Sequence, residues 1–343
     1  MKTLLLSLGQ SGPWANLGVI FRVRRDLVAP IKNFVLAGSV LSIDRADLLI
    51  ELLWAHSGIG EVRADANGYV TFKQLEGSLL NSQPHISRRL KDMADESWVK
   101  VEDTMKGERH HANSHHVRLT QGGLKVIQPV WTNYQELSKA IFQDVSNKDR
   151  QVHLLVNQII RHQLRPFRDL PADSSDSHPV QNVISILKAR RELVSPMKKA
   201  VLSGSGLSLE IADILTDLYG AKELHWPDPQ ADRDGFVTLS QLQASLVHCQ
   251  TLSQILLSRR IRALEDEKWV EIRRIQKDRK YLHENDGVRI TDSGTSMIRP
   301  VWAKYQELAK TLLNEVSEQH RQVHLKVSES ILQRIRPAWT RLL

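Results

Sequence analysis

The sequence predicts a mainly α-helical chain of two like domains, each carrying small β elements. Three observations lead there. The chain of 343 residues is written twice, apolar residues recur at helical spacing through most of each copy, and only short alternating segments read as strands. The duplication is a register: Arg24-Arg25-Asp26-Leu27-Val28 with Pro30 and Lys32 matches Arg190-Arg191-Glu192-Leu193-Val194 with Pro196 and Lys198, at an offset of 166 (196 − 30). It closes on Pro129-Val130-Trp131, Tyr134-Gln135-Glu136-Leu137 and Arg150-Gln151-Val152-His153-Leu154, which face Pro300-Val301-Trp302, Tyr305-Gln306-Glu307-Leu308 and Arg321-Gln322-Val323-His324-Leu325. A period this long exceeds the usual solenoid repeats, so each copy is expected to be domain-sized, and two copies imply pseudo-twofold symmetry.

Each copy reads as helix, helix, short strand, helix, helix, two strands, then two long helices. In the first copy the opening helices are expected from Arg24 to Leu36 and from Ser42 to Trp54, where Leu48, Leu49 and Leu52 give helical spacing. Asp65-Ala66-Asn67-Gly68 is turn chemistry before the short strand Tyr69-Val70. Thr71 then caps a helix through Leu75 and Leu79, as Thr238 does before Leu242 and Leu246. After a break at Asn81 to Pro84, Ile86, Leu90 and Met93 recur at i, i+4 and i+7, so one face is buried and His85, Arg88 and Arg89 turn outward. Leu257, Ile261 and Leu264 repeat the buried face, with Arg259, Arg260 and Ala263 outside. The strands around Trp98-Val99 and Val117-Arg118-Leu119 are joined by a polar, basic loop far longer than a tight hairpin needs, that is, a wing. Pro129 to Arg165 continues as long amphipathic helices. The Pro, Asp and Ser content of 166–179 marks a linker, giving expected domains 1–165 and 180–343.

Composition narrows the function classes. Hydrophobic content of 41% and charged content of 25% are ordinary for a globular protein, and no run approaches the roughly 18 apolar residues of a membrane span. The start, Met1 to Leu8, has an apolar stretch too short for a signal peptide and reads as an N-terminal extension. A single cysteine, Cys249, cannot form an intrachain disulfide, so a reducing, cytoplasmic setting is expected. The formal charge of +8 points to a polyanionic partner. No nucleophile and base set, phosphate loop or metal signature supports an enzyme, and no cofactor is expected.

One ordered constellation is more specific. Thr71-x-x-Gln74-Leu75, Pro84-His85-Ile86-Ser87-Arg88-Arg89-Leu90, Trp98-Val99 and Val117-Arg118-Leu119-Thr120-x-x-Gly123 follow one another, and the second copy repeats them as Thr238, Gln241-Leu242, Leu257-Ser258-Arg259-Arg260, Trp269-Val270 and Val288-Arg289-Ile290-Thr291 with Gly294. This resembles the winged helix-turn-helix of the MarR family of transcriptional regulators, where the strand entry reads Gly-Leu-Val and the wing exits through Arg-Leu-Thr-x-x-Gly. The resemblance covers most of each copy. It implies two tandem winged helix-turn-helix repeats joined through a helical dimerisation-type region, a family dimer fused into one polypeptide that binds double-stranded DNA and acts as a repressor. Each recognition helix would enter a major groove, through Ser82, Gln83, His85, Ser87, Arg88 and Arg89 in the first copy and Ser253, Gln254, Ser258, Arg259 and Arg260 in the second. The wings would reach phosphates and minor grooves through Lys106, Arg109, His110 and His111, and through Lys277, Arg279 and Lys280. Effector pockets in the family lie near the helical junction, which assigns a small-molecule role to Trp131, Tyr134, Trp302 and Tyr305; aromatic pairs three apart are more often core packing.

The copies differ where sequence would be read. His85 faces Leu256, and the offset there grows to 171 (258 − 87). Gln83 and Gln254 have the chemistry to read adenine, whereas Leu256 can contact only apolar surface such as a thymine methyl. Two non-identical half-sites about one helical turn apart are therefore expected. Asp232-Arg233-Asp234-Gly235 looks like part of an EF-hand, but Gln230 and Gln241 stand where carboxylates are needed, so calcium is not expected. The histidines of the first wing lack a carboxylate or cysteine to complete a metal set, and Cys249 reads as a small buried residue. The competing reading is a winged-helix module that has lost DNA binding and assembles with protein.

Overall fold

The computed structural model of the chain describes residues 14–57, 62–79, 83–103, 115–164, 179–225, 229–246, 253–275 and 281–342. It is mainly helical with two small three-stranded antiparallel sheets. The first copy runs α1 (Trp14–Pro30), a π-helical turn (Ile31–Val35), α2 (Ile43–Ser57), β1 (Val70–Thr71), α3 (Phe72–Leu79), α4 (Gln83–Asp95), β2 (Val99–Asp103), β3 (His115–Leu119), α5 (Gln121–Phe142) and α6 (Asn147–Leu164). The second repeats this order as α7 (Pro179–Pro196), a π-helical turn (Met197–Val201), α8 (Leu209–Glu223), β4 (Val237–Thr238), α9 (Leu239–Ser245), α10 (Gln254–Asp266), β5 (Val270–Arg273), β6 (Gly287–Ile290), α11 (Asp292–Leu312) and α12 (Glu318–Leu342).

The duplicated prolines explain the π turns. Pro30 and Pro196 carry no N–H and their rings crowd the carbonyl four residues back, so the helix loosens its register there. Leu36 N–H then reaches Ile31 O (2.9 Å) and Leu202 N–H reaches Met197 O (3.1 Å), both five residues back. The opening helix also begins earlier than its sequence match, at Trp14. In the sheets, β3 lies between β1 and β2 with Val117 opposite both Val70 and Val101, and β6 lies between β4 and β5 with Val288 opposite Val237 and Ile272.

The described chain divides into two compact units, and neither is a contiguous copy. One unit contains 26–154, 179–191 and 329–342; the other contains 14–25, 155–164 and 192–328. The boundaries 1–165 and 180–343 thus delimit the duplicated sequence, while the compact units exchange helical segments: the start of α7 belongs with the body of the first copy, and the start of α1 with the body of the second. Of the expected linker 166–179, residues 166–178 lie outside the described residues and Pro179 begins α7.

In the unit built on the first copy, the exchanged segment of α7 brings Asn182 and Lys188. His153 is fully buried with Nδ1 2.8 Å from Asn182 Oδ1. Burial pushes its imidazole down to about 4, against a smaller upward pull from the Asn182 hydrogen bond. Lys188, 6% exposed, forms an ion pair with buried Glu51 of α2 and donates to Ser78 Oγ of α3 (3.0 Å), while Ser78 donates to the other Glu51 oxygen. In the other unit, α1 supplies Asn16, whose Nδ2 donates to Arg321 O (2.9 Å) and lies 3.0 Å from Nδ1 of buried His324. A further buried pair, Arg161 to Glu192 (3.2 Å), holds α6 to α7 there. The duplicated Arg-Gln-Val-His-Leu motif is thereby accounted for: its histidine meets an asparagine from an exchanged helix, and its arginine, Arg150 or Arg321, donates to the carbonyl of Val145 (2.8 Å) or Val316 (3.2 Å).

Candidate nucleic-acid interface

The segment from the capped third helix to the exit of the hairpin is built the same way in both copies. Thr71 and Thr238 form capping boxes with Gln74 and Gln241: each threonine hydroxyl accepts the glutamine N–H (3.2 Å in both), and each glutamine Oε1 accepts the threonine N–H (2.9 and 3.0 Å). This is the physical content of Thr-x-x-Gln. The preceding turn is held by Asp65, whose Oδ1 accepts the N–H groups of Asn67 and Tyr69, and by Asp232 with Asp234 and Phe236. Asp232 is also ion-paired with Arg273, and although its partial burial pushes the carboxyl up, that arginine and the two N–H groups hold it below its usual value. The EF-hand-like string is therefore a turn locked by an arginine.

Helix α4 buries Ile86, Leu90 and Met93, and α10 buries Leu257, Ile261 and Leu264, as their spacing predicts. Both helices end in a Schellman motif whose left-handed residue is not glycine: Ser97 (φ 60°) and Lys268 (φ 61°) occupy it, with Trp98 N–H on Met93 O (2.8 Å) and Trp269 N–H on Leu264 O (2.9 Å). A left-handed cap residue is usually glycine, so serine and lysine in that place gave no sign of it in the sequence. The hairpin exit explains Thr-x-x-Gly. Thr120 and Thr291 accept Gly123 N–H (3.0 Å) and Gly294 N–H (3.1 Å), and their hydroxyls donate back to Ser97 O and Lys268 O (2.6 Å each). A Cβ on either glycine would sit 2.1 Å from the carbonyl oxygen of Trp98 or Trp269, so no other residue fits without backbone movement.

The residues expected to read DNA separate into three groups. Arg88 and Arg259 are exposed and have no ion-pair partner among the described residues, and His85 and Ser87 are exposed beside Arg88. Arg89 and Arg260 are committed: Arg89 pairs with Asp44 of α2 (2.6 Å) and Arg260 with Glu210 of α8 (3.2 Å), residues that match in the duplication. They brace the helix against its own unit. In α10 three further side chains are engaged within their own unit. Ser253 caps the helix, Gln254 Nε2 donates to Leu282 O (3.0 Å), and Ser258 is fully buried and donates to Gln254 O (2.7 Å). Ser258 therefore departs from its expected place on the reading face, unlike Ser87. Gln83 begins α4. Ser82, the wing residues Lys106, Arg109, His110, His111, Lys277, Arg279 and Lys280, and Cys249 lie outside the described residues.

Two features were not anticipated. Asp286, 2% exposed, closes the base of the second hairpin by accepting Ile275 N–H (2.9 Å) and His283 N–H (2.8 Å); the matching residue in the first copy is His115, which packs on Phe72 instead. On the outer sheet face Arg289 stacks over Phe236 and pairs with Glu271 (2.7 Å), while Arg118 stacks over Tyr69.

The aromatic residues at the junction pack within their own units. Tyr134 is 1% exposed and Trp131 meets Trp54 edge to face (centroids 5.7 Å apart), while Trp302 is 5% exposed among Tyr219 and Tyr305. Among the described residues no helix is long and apolar enough to cross a membrane, and no three His, Cys, Asp or Glu side chains gather as metal ligands. No protein-family model and no curated protein sequence matches this chain.

Proposed function

We propose that this chain is a sequence-specific double-stranded DNA-binding transcriptional regulator in which the two copies act as the fused halves of a pseudo-dimer, in the manner of the MarR-like proteins that its motifs resemble. The observation that carries the reading is the equivalence of Arg88 and Arg259 in the duplication. At matched positions on α4 and α10, each stands exposed and without a partner among the described residues, while the arginine next to it is held by a carboxylate of its own unit. A guanidinium kept free on a braced helix is suited to bidentate contact with guanine or to phosphate, and the excess of 8 positive charges favours the same partner. The arrangement would repress by occluding promoter DNA.

The test is selection of duplexes by the purified full-length protein, with the enriched site titrated against salt. A bipartite site whose affinity falls steeply with salt is the expected result. Replacing Arg88 or Arg259 by alanine should cost about 1–3 kcal/mol of binding if each reads a base, whereas the same change at exposed Lys139 should cost far less. No enriched duplex would move the assignment to a protein-assembling module.

A further inference from the structure

We propose that α10 recognises its half of the DNA through pyrimidine 5-methyl groups, which in ordinary DNA means thymine, while α4 reads by hydrogen bonds; the inference rests on the DNA-binding reading above. The argument is one of elimination along the first two turns of α10. Ser253 is spent as the cap, the Gln254 amide is bonded to Leu282 O, Ser258 is buried and bonded to Gln254 O, and Arg260 is paired with Glu210. The exposed side chains there with no hydrogen-bond or ion-pair partner among the described residues are Ile255 (43% exposed), Leu256 (42% exposed) and Arg259. Neither aliphatic side chain can donate or accept a hydrogen bond, and the apolar feature that the major groove presents is the thymine C5-methyl group. The matching position of α4 is His85, exposed beside exposed Ser87, so that helix keeps donors and acceptors where α10 has none.

A protein partner fits this surface less well. Two exposed aliphatic side chains, bounded by exposed Ser253, Gln254 and Arg259, form a small apolar island within polar surface, whereas a stable protein interface needs about 800 Å² on each partner. An unpaired arginine next to the island complements the charge of a phosphate backbone.

The experiment replaces each thymine of the selected site, one at a time, by 2′-deoxyuridine, which removes the methyl and leaves every hydrogen-bonding atom in place. At a thymine contacted by α10 the expected loss is about fourfold in affinity, the fold-change corresponding to about 0.8 kcal/mol for one buried methylene-sized group. That penalty should disappear in Leu256→Ser or Ile255→Ser, both at exposed positions, and persist in His85→Ala. A selected site at which uracil is neutral at every position overturns methyl reading and leaves the DNA-binding assignment standing. So does a uracil penalty that survives in both serine variants. If no duplex is selected at all, the DNA-binding reading fails first, and methyl reading with it.

Discussion

Thr120 and Thr291 cap equivalent helices, accept equivalent glycine N–H groups and donate to equivalent carbonyls, whereas His85 and Leu256, which also match in the duplication, share nothing but exposure. Across the two copies, the devices that fix the backbone are kept in chemical detail: the capping boxes, the Asx turns, the left-handed caps and the glycines pressed against a tryptophan carbonyl. Among the places where they differ are the exposed face of the fourth helix and the base of the hairpin, where Asp286 of one copy answers His115 of the other. A backbone position that only one residue can occupy tolerates no drift, because a clash or an orphaned polar group costs on the order of 1–3 kcal/mol. An exposed side chain that touches nothing in its own unit is free to change, and its change alters only what the protein meets.

The largest way to break the symmetry of this comparison is at Lys188. Its ion pair with Glu51 is buried in the unit built on the first copy, so Lys188→Met leaves an uncompensated carboxylate there and should cost about 3–5 kcal/mol, read from urea unfolding. The double variant with Glu51→Gln should recover most of the loss. Failure to recover would mean that the lysine acts through packing alone.

The next effect is on pH dependence. His153 is held near 4 in the folded chain against 6.5 when exposed, so the unfolded chain binds a proton that the folded chain does not between those values. The stability this contributes is present in full above pH 6.5 and is lost as pH falls toward 4, by up to about 3 kcal/mol. His153→Gln, which removes titration at the site, should flatten the unfolding free energy measured across that window. An unchanged slope would place the titration elsewhere.

The smallest effect sharpens the likeness of the copies. Ser97→Gly and Lys268→Gly each relieve a left-handed cap and should each raise stability by about 1 kcal/mol, with near-equal gains in thermal unfolding. Unequal gains would show that one cap is supported by contacts the other lacks.

By itself the sequence determined the duplication, the order of the elements in each copy, and which faces of α4 and α10 are buried. These follow from chain-local physics: period 3.6 apolar spacing, threonine and glutamine three apart, and turn residues at fixed offsets. It pointed to four arginines, and could not say that Arg88 and Arg259 stay free while Arg89 and Arg260 are braced, because Asp44 and Glu210 lie 45 and 50 residues away from them (89 − 44, 260 − 210). The repeated His153 and His324 carried a signal without a meaning until Asn182 and Asn16 stood beside them. The exchange of the α1 and α7 segments, the inward turn of Ser258 and the closure of the hairpin by Asp286 were decided by tertiary structure alone. The reason is the same throughout. Periodicity records that a face is buried, but which group satisfies a buried histidine, lysine or carboxylate depends on distances between elements far apart in the chain.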